Sequence, residues 1–289
     1  MIQPNTQFAA RYLLHRRIGT GGYSEVWLAE DILAGNMPVA LKIFAPDKGL
    51  DEQGIALFSK EYALVFNLNH PNLLRPMHFD VSNGSPYLVM QYCEKGSLFG
   101  RTGEMSETEL ARFLLQAASA LHYLHNQDPP VIHQDIKPDN FLIDYDGNYL
   151  LSDFGISSKI RKTLTNSMGN VQTSAGTTSY MAPERFSRLL EDRSPIKAND
   201  IFSLGVTAFE LLTGELPYGD LGGVAAHAGS EPAYLPASFS PELGQLLSAC
   251  LSKTTWERPT AESIVLSAQN YLKNGKWLKP ETVRNKPPE

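Results

Sequence analysis

The sequence predicts an α+β chain in two lobes, the first built on an antiparallel sheet with one main helix and the second mostly helical. The local punctuation carries this: it is strand-like over the first third, where short apolar runs are broken by Gly and Pro, and helix-like beyond it. At 289 residues with 42% hydrophobic side chains, the chain is long enough for two lobes and apolar enough for a buried core. No internal repeat or low-complexity block interrupts it.

The strands come first. Val26-Trp27-Leu28-Ala29 and Val39-Ala40-Leu41-Lys42-Ile43 are separated by Asn36-Met37-Pro38, and Tyr87 to Tyr92 reads as a further strand. Between them a helix is expected from about Asp51 to Asn69, with Leu57, Glu61, Leu64 and Leu68 spaced along one stripe. The second lobe opens on a helix from residue 106. Ser106 caps it, Glu109 completes a capping box, and Leu110, Phe113, Ala117, Leu121 and Leu124 form its apolar face. Another apolar helix runs from about Ile201 to Leu212 and stops at Gly214. The polar, proline-bearing residues 273–289 read as a tail or linker, and residues 1–11 as an N-terminal extension.

Charge and cysteine usage narrow the class. With 25 Lys plus Arg against 31 Asp plus Glu, the net of -6 argues against a general attraction to nucleic acid or anionic lipid. Cys93 and Cys250 stand far apart and outside any Cys/His cluster, so neither a disulfide framework nor a zinc site is indicated, and a reducing, cytoplasmic setting fits. Residues 1–10 lack the charged-then-apolar pattern of a secretory signal, and no window reaches the roughly 18 apolar residues of a membrane span.

Three segments carry chemistry. Gly19-Thr20-Gly21-Gly22-Tyr23-Ser24-Glu25-Val26 is a glycine-rich turn between strand-like runs, where backbone N–H groups could approach a phosphate; a tight hairpin without a ligand reads the same way. Lys42 lies inside an apolar strand, where its charge asks for an anion or a carboxylate. Glu61, in the middle of the helical stripe, is the nominated partner; the alternative is a solvated Glu and a snorkelling Lys.

The third segment runs from Val131-Ile132-His133-Gln134-Asp135-Ile136-Lys137-Pro138-Asp139-Asn140 through Asp146-Gly147 to Asp153-Phe154-Gly155. A two-residue turn at Asp146-Gly147 would set Asn140 opposite Asp153. Directly opposed strand residues have Cβ atoms roughly 4.5–5.5 Å apart, close enough for an amide and a carboxylate to share a magnesium ion that keeps positions for phosphate and water. Asp135 would lie near the same point.

Val39-Ala40-Leu41-Lys42, His133-Gln134-Asp135 through Asn140, Asp153-Phe154-Gly155 and Ala182-Pro183-Glu184 together resemble, in order, the signature set of eukaryotic-like serine/threonine protein kinases. The likeness spans residues 12–272 and implies a small sheet-based N-lobe over about 12–90, a linking segment over about 91–96, a larger helical C-lobe over about 97–272, and ATP between the lobes. It implies that Lys42 binds the α- and β-phosphates and pairs with Glu61, whose distance from His70-Pro71-Asn72 also matches. Asn140 and Asp153 would hold Mg2+, Asp135 would take the acceptor proton, and Lys137 would offset charge on the γ-phosphate. Ile18, Gly19, Gly21, Val26, Ala40 and Leu142 would surround the nucleotide, with Met90 as gatekeeper and the Gln91 to Cys93 backbone reaching adenine.

Lys137 and Gly176-Thr177 resemble the serine/threonine class, whose acceptor is a protein hydroxyl; Thr177 would hydrogen-bond near Asp135, or else be a structural loop threonine. Asp200 reads as a helix N-cap, whereas the resemblance makes it an anchor for the catalytic turn and pairs Arg258 with Glu184. Ser24 replaces the third glycine of the family pattern, and Gln134 replaces the arginine that binds a phosphorylated activation loop. Activity is therefore expected to depend little on phosphorylation of Thr163, Thr165, Ser167, Thr173, Ser174 or Thr178. A catalytically silent scaffold with the same fold and a small-molecule kinase are the alternatives.

Overall fold

The computed structural model describes residues 2–21, 24–153, 175–187 and 196–279. They divide into two compact units, one comprising residues 2–69 and 74–95 and the other residues 70–73 together with those from 96 onward.

The first unit is a six-stranded antiparallel sheet. Its strands are β1 (Gln7–Phe8), β2 (Tyr12–Thr20), β3 (Ser24–Asp31), β4 (Met37–Phe44), β5 (Pro76–Ser82) and β6 (Ser85–Gln91), in the spatial order β1-β2-β3-β4-β6-β5. Alternation sorts the side chains to two faces. Tyr12, Leu14, Trp27, Ala29, Val39, Leu41, Ile43, Tyr87 and Val89 form one buried cluster, against which Ile2, Phe8 and Ala9 pack. The register sends the other set the opposite way: Val26 faces Lys42, which faces Leu88, and Leu28 faces Ala40, which faces Met90.

That second face receives α1 (Glu52–Phe66) through aromatic side chains. Phe58 meets Phe44 with ring centroids 4.7 Å apart, and Tyr62 stacks on Phe79 at the same separation. Gly54, Phe58 and Tyr62, four residues apart, are buried, whereas Leu57 is exposed. Leu57, the first residue of the expected stripe, is thus off the buried face, Leu68 is buried beyond the end of α1, and the rings that meet Phe44 and Phe79 come from positions 58 and 62. Glu61 and Leu64 keep a described backbone, but their side chains lie outside the described residues.

Helices dominate the second unit. In α2 (Glu107–His125) the expected capping box is present, with Glu109 N–H donating to Ser106 Oγ (3.2 Å) and Ser106 N–H to Glu109 Oε2 (2.9 Å). These bonds from Ser106 hold the Glu109 carboxyl below its ordinary range. Leu110, Phe113, Ala117, Leu121 and Leu124 are all buried as their spacing predicts. After the short hairpin β7 (Phe141–Ile143) and β8 (Tyr149–Leu151) come α3 (Lys197–Thr213), α4 (Gly223–His227), α5 (Pro241–Cys250) and α6 (Ala261–Asn274). Gly214 ends α3 at φ +76°, with its N–H on Glu210 O.

Gly205 lets α3 and α5 approach closely, since a Cβ there would stand 2.7 Å from Cys250 Cβ. Gly205→Ala is accordingly expected to destabilise the domain by roughly 1–3 kcal/mol through overpacking, read as a lower midpoint in thermal unfolding. An unchanged midpoint would mean that the two helices part without cost.

The tail expected from residue 273 begins later. Gly275 turns the chain back at φ +68°, Trp277 stacks on Tyr271 at 4.6 Å, and its indole N–H donates to Glu107 Oε1 at 2.6 Å. Residues 280–289 lie outside the described residues. No helix among the described residues is long and apolar enough to cross a membrane.

Candidate active site

The turn from His133 to Asn140 is built around Asp200, which is 0% exposed in the first turn of α3. Its Oδ2 accepts from His133 N–H (2.9 Å) and His125 Nε2–H (2.9 Å), and its Oδ1 from Gln134 N–H (2.8 Å). Gln134 takes φ +68°, an uncommon conformation for a residue with a side chain, and the buried carboxylate fixes it there. Asp200 is therefore an anchor of the turn rather than an N-cap: the helix starts earlier, where Ile196 N–H donates to Asn199 Oδ1 (2.9 Å).

His133 ties this turn to the end of β8. Asp135 N–H donates to His133 Nδ1 (3.2 Å), which leaves Nε2 to carry the proton and donate to Ser152 O (2.9 Å). One neutral tautomer satisfies both bonds. The Asp135 carboxylate is held from two sides, Oδ2 by Asn140 Nδ2 at 3.1 Å and Oδ1 by Lys137 Nζ at 3.2 Å. Asn140 Nδ2 also donates to Asp135 O at 2.7 Å, so its amide has one settled orientation.

The hairpin differs from its expected register by one residue. Phe141 faces Leu151 and Ile143 faces Tyr149, so Asn140 meets Ser152, whose N–H and Oγ both donate to Asn140 O at 2.8 and 3.0 Å. The reason is the loop, which holds three residues instead of two. Asp144 N–H donates to Asn148 O, the Asp144 carboxylate accepts from Asn148 N–H (2.7 Å) and Nδ2–H (3.0 Å), and Gly147 closes the loop at φ +86°. Asp153 follows one step past the Asn140–Ser152 pair and bends away at φ +61°; it is not the cross-strand partner of Asn140. Phe154 and Gly155 lie outside the described residues.

Within the sheet unit, Lys42 is 6% exposed, and its Nζ stands 5.5 Å from the Phe44 ring centroid. Val26, Ala40 and Met90 share its face of the sheet, by the register already given. Gln91 ends β6 in solvent, Cys93 beyond it is buried, and Ile18 is exposed toward the end of β2. Gly19 faces Val26, and Gly21 N–H donates to Ser24 O at 2.7 Å; Gly22 and Tyr23 lie outside the described residues. In the helical unit, Leu142 pairs with Leu150. The backbone of Thr177 belongs to the 3-10 turn Ala175–Tyr180, and its side chain is outside the described residues.

Several supporting residues had no clear signature. His125 sits on the buried face of α2, where a histidine among leucines is the sole hint. Tyr180 Oη donates to Glu210 Oε2 at 2.6 Å; burial raises the pKa of both groups, and the charge of Asp139 raises them further. Arg258, by contrast, is the residue that the resemblance pairs with Glu184: it is 0% exposed, makes two bonds to Glu184 at 2.7 and 2.8 Å, donates to Ala198 O and Ser252 O, and lies over the Phe202 ring.

An antiparallel sheet carrying a buried lysine and a helical unit carrying an acid–amide turn define an α+β protein of two lobes. The family model for the protein kinase domain matches residues 12–269. The chain is 31% identical over 279 residues to CBL-interacting serine/threonine-protein kinase 12 of Arabidopsis thaliana, covering 94% of this chain and 54% of that protein. It is 32% identical over 283 residues to CBL-interacting protein kinase 5 of Oryza sativa subsp. japonica, covering 96% and 59%. With serine/threonine-protein kinase PrkC of Bacillus subtilis (strain 168) it shares 31% over 258 residues, covering 88% and 38%. The chain thus spans about half the length of the first two relatives and less of the third. It belongs to the protein kinase domain family.

Proposed function

We propose that the chain is a serine/threonine protein kinase that transfers the γ-phosphate of Mg-ATP to hydroxyls of protein substrates. The observation that carries this reading is the Asp135 carboxylate held between Asn140 Nδ2 and Lys137 Nζ on a turn pinned by buried Asp200. Asp135 orients the acceptor hydroxyl and takes its proton as the oxygen bonds to the γ-phosphorus and the bond from that phosphorus to the β,γ-bridging oxygen breaks, releasing ADP; Lys137 offsets charge on the moving group. With Nδ2 committed to Asp135, the Asn140 amide offers its oxygen, and Asp153 a carboxylate, to the metal. Two hard oxygen donors fit Mg2+, which takes its remaining ligands from phosphate and water and neutralises phosphate charge when bound. Lys42 binds the α- and β-phosphates with Glu61 as its partner, and Gly19 and Gly21 bring backbone near them. Ile18, Val26, Ala40, Leu142 and Met90 enclose the base, while the Gln91 and Cys93 backbone bonds to it. Thr177 supports Asp135 and Lys137.

Gln134 gives this kinase little use for a phosphorylated activation loop. Its amide Nε2 turns back toward Ile132 O (3.5 Å) and carries no charge to pair with phosphate. Thr163, Thr165, Ser167, Thr173 and Ser174 lie outside the described residues. A cytoplasmic setting agrees with Cys93 and Cys250 as buried thiols not joined to each other.

The test is labelled-phosphate transfer from Mg-ATP to peptides with one serine, threonine or tyrosine, before and after phosphatase treatment. Transfer to serine or threonine that treatment lowers less than about tenfold is expected, by analogy with the loss of a single charge-assisted contact. Mg-ATP binding without transfer would favour the scaffold, and a larger loss would restore the activation loop as a switch.

A further inference from the structure

Between Ala175–Tyr180 and Ala182-Pro183-Glu184 the chain is gripped from two directions. From α3, Ser203 Oγ donates to Tyr180 O (2.7 Å) and Glu210 accepts from Tyr180 Oη, while Ala182 enters a cluster with Phe202, Val206 and Leu251. The opposite grip is backbone on backbone. Gly222 takes φ +48° and ψ -127°, and a Cβ on it would stand 2.3 Å from Ser179 Cα; one on Gly223 would stand 1.9 Å from Met181 O. Ser179 Oγ closes the contact by donating to Asp220 O at 2.9 Å. No side chain fits at either position, so the first turn of α4 rests directly on residues 179–181.

We infer that the Gly222-Gly223 pair is a positioning element for the acceptor peptide, setting the height of the 175–181 loop beside the Asp135 turn. The inference rests on the kinase reading above and names the residues that seat its substrate loop. One helix holds both the loop and the Asp135 turn: in α3, Asp200 accepts from the His133 and Gln134 N–H groups, and Ser203, three residues on, donates to Tyr180 O. Lifting the loop by the width of a methyl group would displace a bound hydroxyl from Asp135 without touching Lys42, Asn140 or Asp153. Misplacing a reacting group by about 1 Å costs on the order of 100-fold in rate.

The test compares Gly222→Ala and Gly223→Ala with wild type on a peptide library fixed at one serine or threonine. Mg-ATP affinity by calorimetry and ATP hydrolysis without peptide are measured alongside. Peptide kcat/KM is expected to fall about 10- to 100-fold, while Mg-ATP affinity stays within about twofold. Gly244→Ala, at a helical glycine of α5 whose added Cβ would meet nothing nearer than Leu235 Cβ at 4.0 Å, is expected to keep wild-type peptide kinetics. Should both glycine variants fail to fold, Ser179→Ala loosens the same contact and is expected to lower peptide kcat/KM roughly three- to tenfold, the value of one hydrogen bond. Unchanged peptide kinetics in a folded seat variant, or in Ser179→Ala when neither glycine variant folds, overturn the proposal. So does a parallel loss of ATP binding and hydrolysis, which marks a general lesion. A wild type that binds Mg-ATP and labels no peptide removes the kinase reading itself and this inference with it; an active wild type with equally active variants removes only the seat.

Discussion

Asp135→Asn is expected to lower phosphoryl transfer to a peptide by about 100- to 10,000-fold, the range of a positioned general base. The carboxylate now lies 3.2 Å from Lys137 Nζ and 3.1 Å from Asn140 Nδ2, so the substitution is nearly isosteric and the turn keeps its hydrogen bonds to Asp200. What disappears is an oxygen able to accept the hydroxyl proton. Mg-ATP affinity is expected to hold, which separates this loss from unfolding. Labelled transfer that survived at wild-type rate would place the chemistry elsewhere and leave the turn a scaffold.

Arg258→Ala is expected to have the largest effect on stability. The guanidinium is wholly buried and makes both bonds of a fork to Glu184, so truncation strands a carboxylate that also accepts from Asn199. Removing one partner of a buried pair costs roughly 3–5 kcal/mol. For a domain of this size that corresponds to a fall of very roughly 6–20 °C in thermal midpoint, measured by calorimetry. A shift under about 2 °C would mean that water reaches Glu184 and takes over its hydrogen bonds.

What could be read beforehand depended on how far each cause lies along the chain. The Ser106 box and the Gly214 stop involve neighbours within four residues, so residue type alone announces them. Ordered motifs announced Asp135, Lys137 and Asn140, since they crowd one turn. The hairpin register departs from the expected one because two local signals compete. Asp146-Gly147 favours a two-residue turn, but the Asp144 carboxylate captures Asn148 and makes the loop longer. The ring contacts of α1 are hidden for a different reason: Phe58 and Tyr62 are chosen by Phe44 and Phe79, rings that belong to strands and not to the helix. Strand β5 lacks a clear apolar run, and its signature is the turn: Asn83-Gly84, at φ +50° and +78°, is a strong hairpin signal between Ser82 and Ser85. The three donors to Asp200 come from residues up to 75 positions away, so no local signal carries the meeting, and the resemblance alone makes Asp200 the anchor of the turn.

The indole of Trp277 has a practical implication for anyone trimming this polypeptide. Glu107 accepts from Trp277 and from Ser240, so one carboxylate at the front of α2 knots together the entrance of α5 and the stretch after α6. Truncation at residue 272, where hydrophilic letters begin to dominate, would cut that knot, bare the ring of Tyr271 and leave two helix ends without their shared tether. The working edge of the folded body is drawn by an aromatic plug, several positions farther on than its hydropathy suggests.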